Sequence, residues 1–194
     1  MMFMVQTADV LAEETIFGGE DASYDFFGGP ALKRSSIAGD AAWLVGGQMG
    51  MSMNHSFNVG FGAYGLATDV AAPSQANAFY PGRSLEVELA YGGMEIGYVY
   101  KPEKVLHATV GLLLGAGNCG FRDESSADPD EDFDRIDTFF ILEPTLTMTA
   151  NVTAWFHAGC GVSYRLISDL NVAGIESGDV DGLSLVMTLN FGSF

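Results

Sequence analysis

The feature that most restricts this chain is an alternation of period two that persists over stretches of a dozen residues or more. Between Phe140 and Arg165 the sequence reads FILEPTLTMTANVTAWFHAGCGVSYR. Successive side chains of a strand point to opposite faces. Ile136, Phe140, Leu142, Leu146 and Met148 therefore share one face, and Asp137, Glu143, Thr145, Thr147 and Thr149 share the other. Beyond a turn expected at Ala150-Asn151, Ala154, Phe156, Ala158, Cys160, Val162, Tyr164 and Leu166 oppose Thr153, His157, Gly159, Gly161, Ser163 and Arg165. Phe139 and Trp155 are apolar residues on the mostly polar face. No window holds 18 consecutive apolar residues, so helical membrane spans are excluded.

The same reading extends along the chain. Residues 24–33 supply a less regular strand, with 35–39 as its connection onward. Ala41, Trp43, Val45, Met49, Met51 and Met53 oppose Gly46, Gln48, Gly50 and Ser52, and Asn54-His55-Ser56 turns into Phe57, Val59, Phe61 and Ala63. Leu85, Val87, Leu89 and Tyr91 alternate with Glu86 and Glu88. After Gly92-Gly93 the phase flips to Met94, Ile96, Tyr98 and Tyr100, for which a glycine bulge is the economical explanation. Leu106, Ala108, Val110, Leu112 and Leu114 form the next apolar face, and Leu183, Leu185, Met187, Leu189 and Phe191 the last. The count is eight strands. Connections at 54–56, 101–104 and 150–151 are short, whereas those at 68–83, 118–133 and 168–181 are long. Short turns at one end, long loops at the other and strands well beyond the usual 5–6 residues describe a transmembrane β-barrel.

Which face meets the outside is decided by the polar one. It is built of Gly, Ser, Thr and Asn with an occasional Glu, His or Arg, and has almost no Lys. A water-facing sheet would carry many long charged side chains, while the lumen of an eight-stranded barrel has room only for small ones. The 25 glycines, nearly twice the usual share, fit that lumen and disfavour long helices. The expected fold is thus all-β: an eight-stranded antiparallel transmembrane barrel over residues 21–194, preceded by an N-terminal arm at 1–20. In that arm MMFMVQTADVLAEE lacks the basic start and full apolar stretch of a signal peptide, although Val10-Leu11-Ala12 has the character of a processing site. A net charge of -17 leaves no basic stripe for nucleic acid. Cys119 and Cys160 are too few for a disulfide framework, and their pairing is left open.

The elements IFGG (Ile16–Gly19), FFGGP (Phe26–Pro30), GFGAYGL (Gly60–Leu66), LEPTLTMTANVTAWFHAGCGVSYR and LSLVMTLNFGSF, taken in order, resemble the outer-membrane β-barrel domain family of bacteria such as the Bacteroidetes. The resemblance spans most of residues 15–194. It implies residence in the outer membrane, short turns in the periplasm, long loops outside the cell and no catalytic activity. It also implies handling by the barrel insertion machinery, which reads a terminal aromatic with apolar residues at alternate positions before it. Phe194 agrees, but Gly192-Ser193 put Phe191 out of that phase.

The lumenal ionisable residues are then Glu86, Glu88, Glu95, Glu143, His157 and Arg165. Buried charges need partners, so Arg165 is expected to pair with at least one glutamate in a structural network that helps to plug the lumen. Tyr98, Tyr100, Phe191 and Phe194 form an aromatic girdle at the short-turn interface. Asp128, Asp130, Asp132 and Asp134 offer carboxylate oxygens of the kind that hold Ca²⁺. They lack the turn glycine and distal glutamate of an EF-hand, and a solvated loop is the plainer reading. No nucleophile stands at a recognisable spacing from a histidine. The expected role is non-enzymatic and structural or surface-binding, in a monomer surrounded by outer-membrane lipid or detergent. Two alternatives are a soluble or periplasmic barrel binding an apolar ligand, and an outer-membrane enzyme acting on lipid or peptide.

Overall fold

A computed structural model describes residues 23–74, 76, 84–123, 136–172 and 174–193. Its strands are β1 (Tyr24–Ile37), β2 (Asp40–Met53), β3 (Phe57–Leu66), β4 (Leu85–Tyr100), β5 (Leu106–Asp123), β6 (Asp137–Thr153), β7 (Phe156–Ser168), the two-residue β8 (Asn171–Val172) and β9 (Ile175–Glu176), and β10 (Gly182–Gly192). A four-residue helix, α1 (Ser177–Val180), precedes β10. Strands β1 to β7 pair antiparallel with their sequence neighbours, and β10 lies between β7 and β1, closing an eight-stranded barrel. Closure leaves the barrel without an edge strand, which hydrocarbon demands of any sheet that crosses it.

From Gly28 the row of cross-strand partners runs through Met49, Phe61, Met94, Leu114 and Leu142 to Leu166. The other way round it passes Phe191 and reaches Phe156. Both ends lie on β7, ten residues apart, and this stagger tilts the strands, by about 35–45° in barrels of this size. The row faces outward and is almost wholly apolar. On β6 the exposed side chains include Phe140, Leu142, Leu146, Met148 and Val152. That span rises roughly 30 Å along the barrel axis at about 3.3 Å per residue and ~40° of tilt, enough to cover the ~25 Å apolar band of membrane barrels. The apolar face is therefore the outer one, as a lipid-exposed barrel requires and a soluble barrel does not.

The interior changes character with height. At the loop end Ile37, Leu44, Leu85, Val87, Leu89, Phe121, Phe139, Ile141 and Ile167 pack with Val70, Leu170, Ile175 and Val180 of the connections. Backbone bonds tie this lid down: Val87 donates to the Val70 carbonyl at 2.8 Å, and Ala38 to that of Asp179 at 2.8 Å. The β1–β2 connection here is only Ala38-Gly39, with φ of 51° and 88°. Two successive left-handed residues are what a tight hairpin turn requires.

Four expectations are corrected. Strand β4 pairs with β5 without interruption from Leu85–Asp123 to Tyr100–Ala108, so Gly92-Gly93 is no bulge. Leu85, Val87, Leu89 and Tyr91 point inward, and Glu86 and Glu88 lie on the outer face. The strand outruns the apolar belt; past its rim the outer face meets water, so charge goes out and bulk goes in. Strand β6 continues through Ala150-Asn151 to Thr153, and the turn is Ala154-Trp155. Trp155, 60% exposed, therefore sits at the rim rather than in the lumen. The connection at 168–181, expected as a loop, contains the β8–β9 pair and α1.

Candidate functional site

The middle of the lumen is an ionic floor built from five strands. Lys33 on β1 faces inward, 3% exposed, because Ala31, Lys33 and Ser35 form the buried phase of that strand. Its Nζ donates to Oε2 of Glu143, fully buried on β6, at 2.7 Å. The Tyr91 hydroxyl donates to the same oxygen at 3.0 Å, and Ser163 Oγ to Oε1 at 2.6 Å. Lys33 Nζ also stands 3.4 Å above the centre of the Tyr64 ring, a cation–π contact strengthened by exclusion of water. Tyr64 in turn donates to Glu95 Oε1 at 3.0 Å. Gly46, the cross-strand partner of Tyr64, makes room for that ring: a Cβ there would stand 2.7 Å from Tyr64 Cδ1.

The expected glutamate partner of Arg165 is corrected by this arrangement. Glu143 is held by Lys33, whereas Arg165 donates from Nε to the Val180 carbonyl at 2.8 Å and from Nη2 to Ser35 Oγ at 3.3 Å. It ties α1 to the barrel wall, while its Nη1 is buried without a hydrogen-bond partner. Glu95, Glu143, His157 and Arg165 all face the interior. Glu86 and Glu88 do not: Arg122 reaches Glu86 at 2.7 Å, Glu88 at 3.5 Å and Asp69 at 3.8 Å on the outside of the barrel.

Beneath the floor the lumen is open. A cavity of about 560 Å³ reaches from Lys33, Tyr64 and Glu95 to the short turns, where Asn54, Pro102 and Ala154 line it. Its walls carry Gln48, Asn58, Asn190 and the threonines at 109, 145, 147, 149 and 188. The side-chain plug thus fills the middle and the loop end of the barrel and leaves a polar vestibule at the short-turn end. Small side chains on β2 to β6 and β10 leave that volume unfilled.

At the same end Tyr98, Tyr100 and Phe191 are exposed on the outer face. Phe191 stacks on Phe156 at 5.0 Å between centroids and on Trp155 at 6.1 Å, and Phe57 packs on Tyr98 at 5.2 Å. Three of these aromatics, Phe57, Trp155 and Phe156, were not expected in the girdle; correct placement of the turn would have shown the latter two. Phe194 and the candidate cation residues Asp128, Asp130, Asp132 and Asp134 lie outside the described residues, as does the arm at 1–20.

One constellation escaped the sequence. Ser23 Oγ lies 3.4 Å from His55 Nε2, and His55 Nδ1 lies 3.1 Å from Asp25 Oδ2. The types match a hydrolase triad, but the geometry does not. The Asp25 oxygen receives no aligned hydrogen bond, the serine contact exceeds the ~2.6–3.2 Å of a working nucleophile–base pair, and the Ser23 N–H is spent on Asn54 Oδ1. Among the described residues, no three His, Cys, Asp or Glu side chains gather as a metal site.

No protein-family model matches the chain, and no curated protein matches it. Solved structures do. The chain is similar to Neisserial surface protein A, at 17% identity and a TM-score of 0.60, over 90% of this chain and 100% of that one. It is also similar to Ail, the attachment invasion locus protein of Yersinia pestis, in complex with the heparin analogue sucrose octasulfate, at 11% identity and a TM-score of 0.51, over 88% and 97%. At such identities the shared property is the fold, the eight-stranded barrel of outer-membrane proteins.

Proposed function

We propose that this chain spans a bacterial outer membrane as a non-enzymatic barrel closed to through-flow, presenting its acidic connections at the cell surface and its vestibule to the periplasm. The observation that carries this reading is the pairing of an apolar outer belt with an interior blocked by the Lys33–Glu143 floor and the apolar lid above it. A belt of this height needs hydrocarbon around it, and a blocked lumen cannot serve diffusion. The role that remains is structural or surface-binding, exercised through the connections at the loop end. The finer placement, among barrel domains of Bacteroidetes-like bacteria, draws support from the sequence elements quoted above. With Phe191 at the rim and Trp155 and Phe156 stacked against it, the chain is a substrate for barrel insertion machinery and works as a monomer.

Reconstitution into planar bilayers tests the reading. Membrane insertion without sustained conductance is the expected result. Steady ohmic steps would show a continuous water path and overturn the closed-lumen claim, and a protein monodisperse without detergent would overturn the membrane placement.

A further inference from the structure

The vestibule mouth holds a second group of polar side chains, separate from the ionic floor. His107 on β5 and His157 on β7 both point inward, on either side of β6. On β6, Thr149 is the cross-strand partner of His107, and Asn151 that of His157. All four line the vestibule.

Two local features orient this group. His107 Nδ1 lies 3.3 Å from the Lys104 carbonyl. A carbonyl only accepts, so Nδ1 carries the proton and Nε2 presents a lone pair. This is how a backbone oxygen fixes the tautomer of a metal-binding histidine. Asn151 Nδ2 donates to the carbonyls of Pro102, at 3.4 Å, and Lys104, at 3.2 Å. Its Oδ1 is left buried with no hydrogen-bond partner. A buried acceptor without a donor is costly, and a cation would relieve it.

The spacing completes the argument. Two imidazoles sharing one metal at about 2.0–2.1 Å have ring centroids roughly 4.5–6.4 Å apart, as the angle at the metal opens from a right angle to a straight line. The His107 and His157 rings are 6.1 Å apart, edge to face. Imidazole nitrogen with amide oxygen and water suits Cu²⁺, Ni²⁺ and Zn²⁺ and is poor for Ca²⁺ or Mg²⁺. The net charge of -17 favours a cation.

We propose that His107 and His157, with Asn151 Oδ1 beside them, form a binding site for one borderline divalent cation of the Cu²⁺, Ni²⁺ and Zn²⁺ class at the vestibule mouth. The ion joins β5 to β7 across β6 and completes its coordination with water. The group stays below three of the usual ligand types because its third donor is an amide oxygen.

The test uses the intact protein refolded in detergent micelles, with folding of each variant checked by its heat-modifiable gel mobility. Electron paramagnetic resonance at one equivalent of Cu²⁺ should show splitting from two imidazole nitrogens. Calorimetric titration with Zn²⁺ should give one site, weakened at least tenfold by His107→Asn or His157→Asn. His55→Asn, which removes the other histidine lining the vestibule, should leave it unchanged. A copper spectrum with fewer than two coupled nitrogens, equal affinity in the parent and both strand variants, or loss of binding in His55→Asn would each overturn the proposal. The spectrum of the parent decides the matter even if a variant does not fold.

Discussion

Replacing Lys33 by Met removes the only cation in contact with Glu143 among the described residues and keeps most of the aliphatic volume. Glu143 is fully buried, and its carboxylate is satisfied by one charged and two neutral donors: Lys33 at 2.7 Å, Tyr91 at 3.0 Å and Ser163 at 2.6 Å. In Lys33→Met the two hydroxyls remain, but the charge has no counterpart. Arg165 is directed elsewhere, with its Nε held by the Val180 carbonyl and its Nη2 by Ser35. Breaking a buried pair from one side costs about 3–5 kcal/mol, because the partner charge stays desolvated. That is roughly two to four powers of ten in the unfolding constant. Urea unfolding in lipid vesicles, followed by tryptophan fluorescence, measures it. The double variant Lys33→Met/Glu143→Gln should recover more than half of the loss, because the remaining amide no longer demands a cation. A single variant within about 1 kcal/mol of the parent, or a double variant whose losses simply add, would refute the reasoning.

Other outcomes follow from the same geometry. Arg122→Ala should cost less than about 1 kcal/mol, with the difference shrinking in high salt, because its partners Glu86 and Glu88 are paired at a half-exposed guanidinium. Gly46→Val should destabilise by about 1–3 kcal/mol in the same unfolding assay, since its Cβ would press on the Tyr64 ring and backbone. In Trp43→Phe, the remaining Trp155 should be quenched most by lipids brominated close to the headgroup; strongest quenching by mid-chain bromines would place the Ala154-Trp155 turn wrongly.

Much of this fold was legible because the bilayer imposes one rule on every strand it surrounds. Leu146 and Met148 outward against Thr145, Thr147 and Thr149 inward could be read directly, as could Glu143 and His157. Failure came where the surroundings change along one strand. Above the belt, Leu85, Val87 and Leu89 alternate with Glu86 and Glu88 as regularly as Met94, Ile96 and Tyr98 alternate within it. The phase flip at Gly92-Gly93 marks an exchange of lipid for water outside an unbroken strand, and alternation alone cannot distinguish that from an inserted residue. Lys33 was missed because β1 has no clean apolar face, although Ala31, Lys33 and Ser35 keep one phase. The vestibule leaves no trace in the pattern, since small side chains signal a lumen without saying how much of it they leave open. Trp155 did carry a signal: an indole on the polar face was the sign that the turn lay further along.

The central claim is that in the membrane-embedded part of β6 Leu146 and Met148 meet lipid while Thr145, Thr147 and Thr149 face a polar lumen. A spin-label scan from Thr145 to Thr149, one cysteine at a time in a Cys119→Ser/Cys160→Ser background, measures it in bilayers through collisions with oxygen and with a water-soluble nickel chelate. Labels at 146 and 148 should show high oxygen and low nickel accessibility, and those at 145, 147 and 149 low oxygen accessibility. The opposite phase, or high nickel accessibility at 146 and 148, would contradict the account.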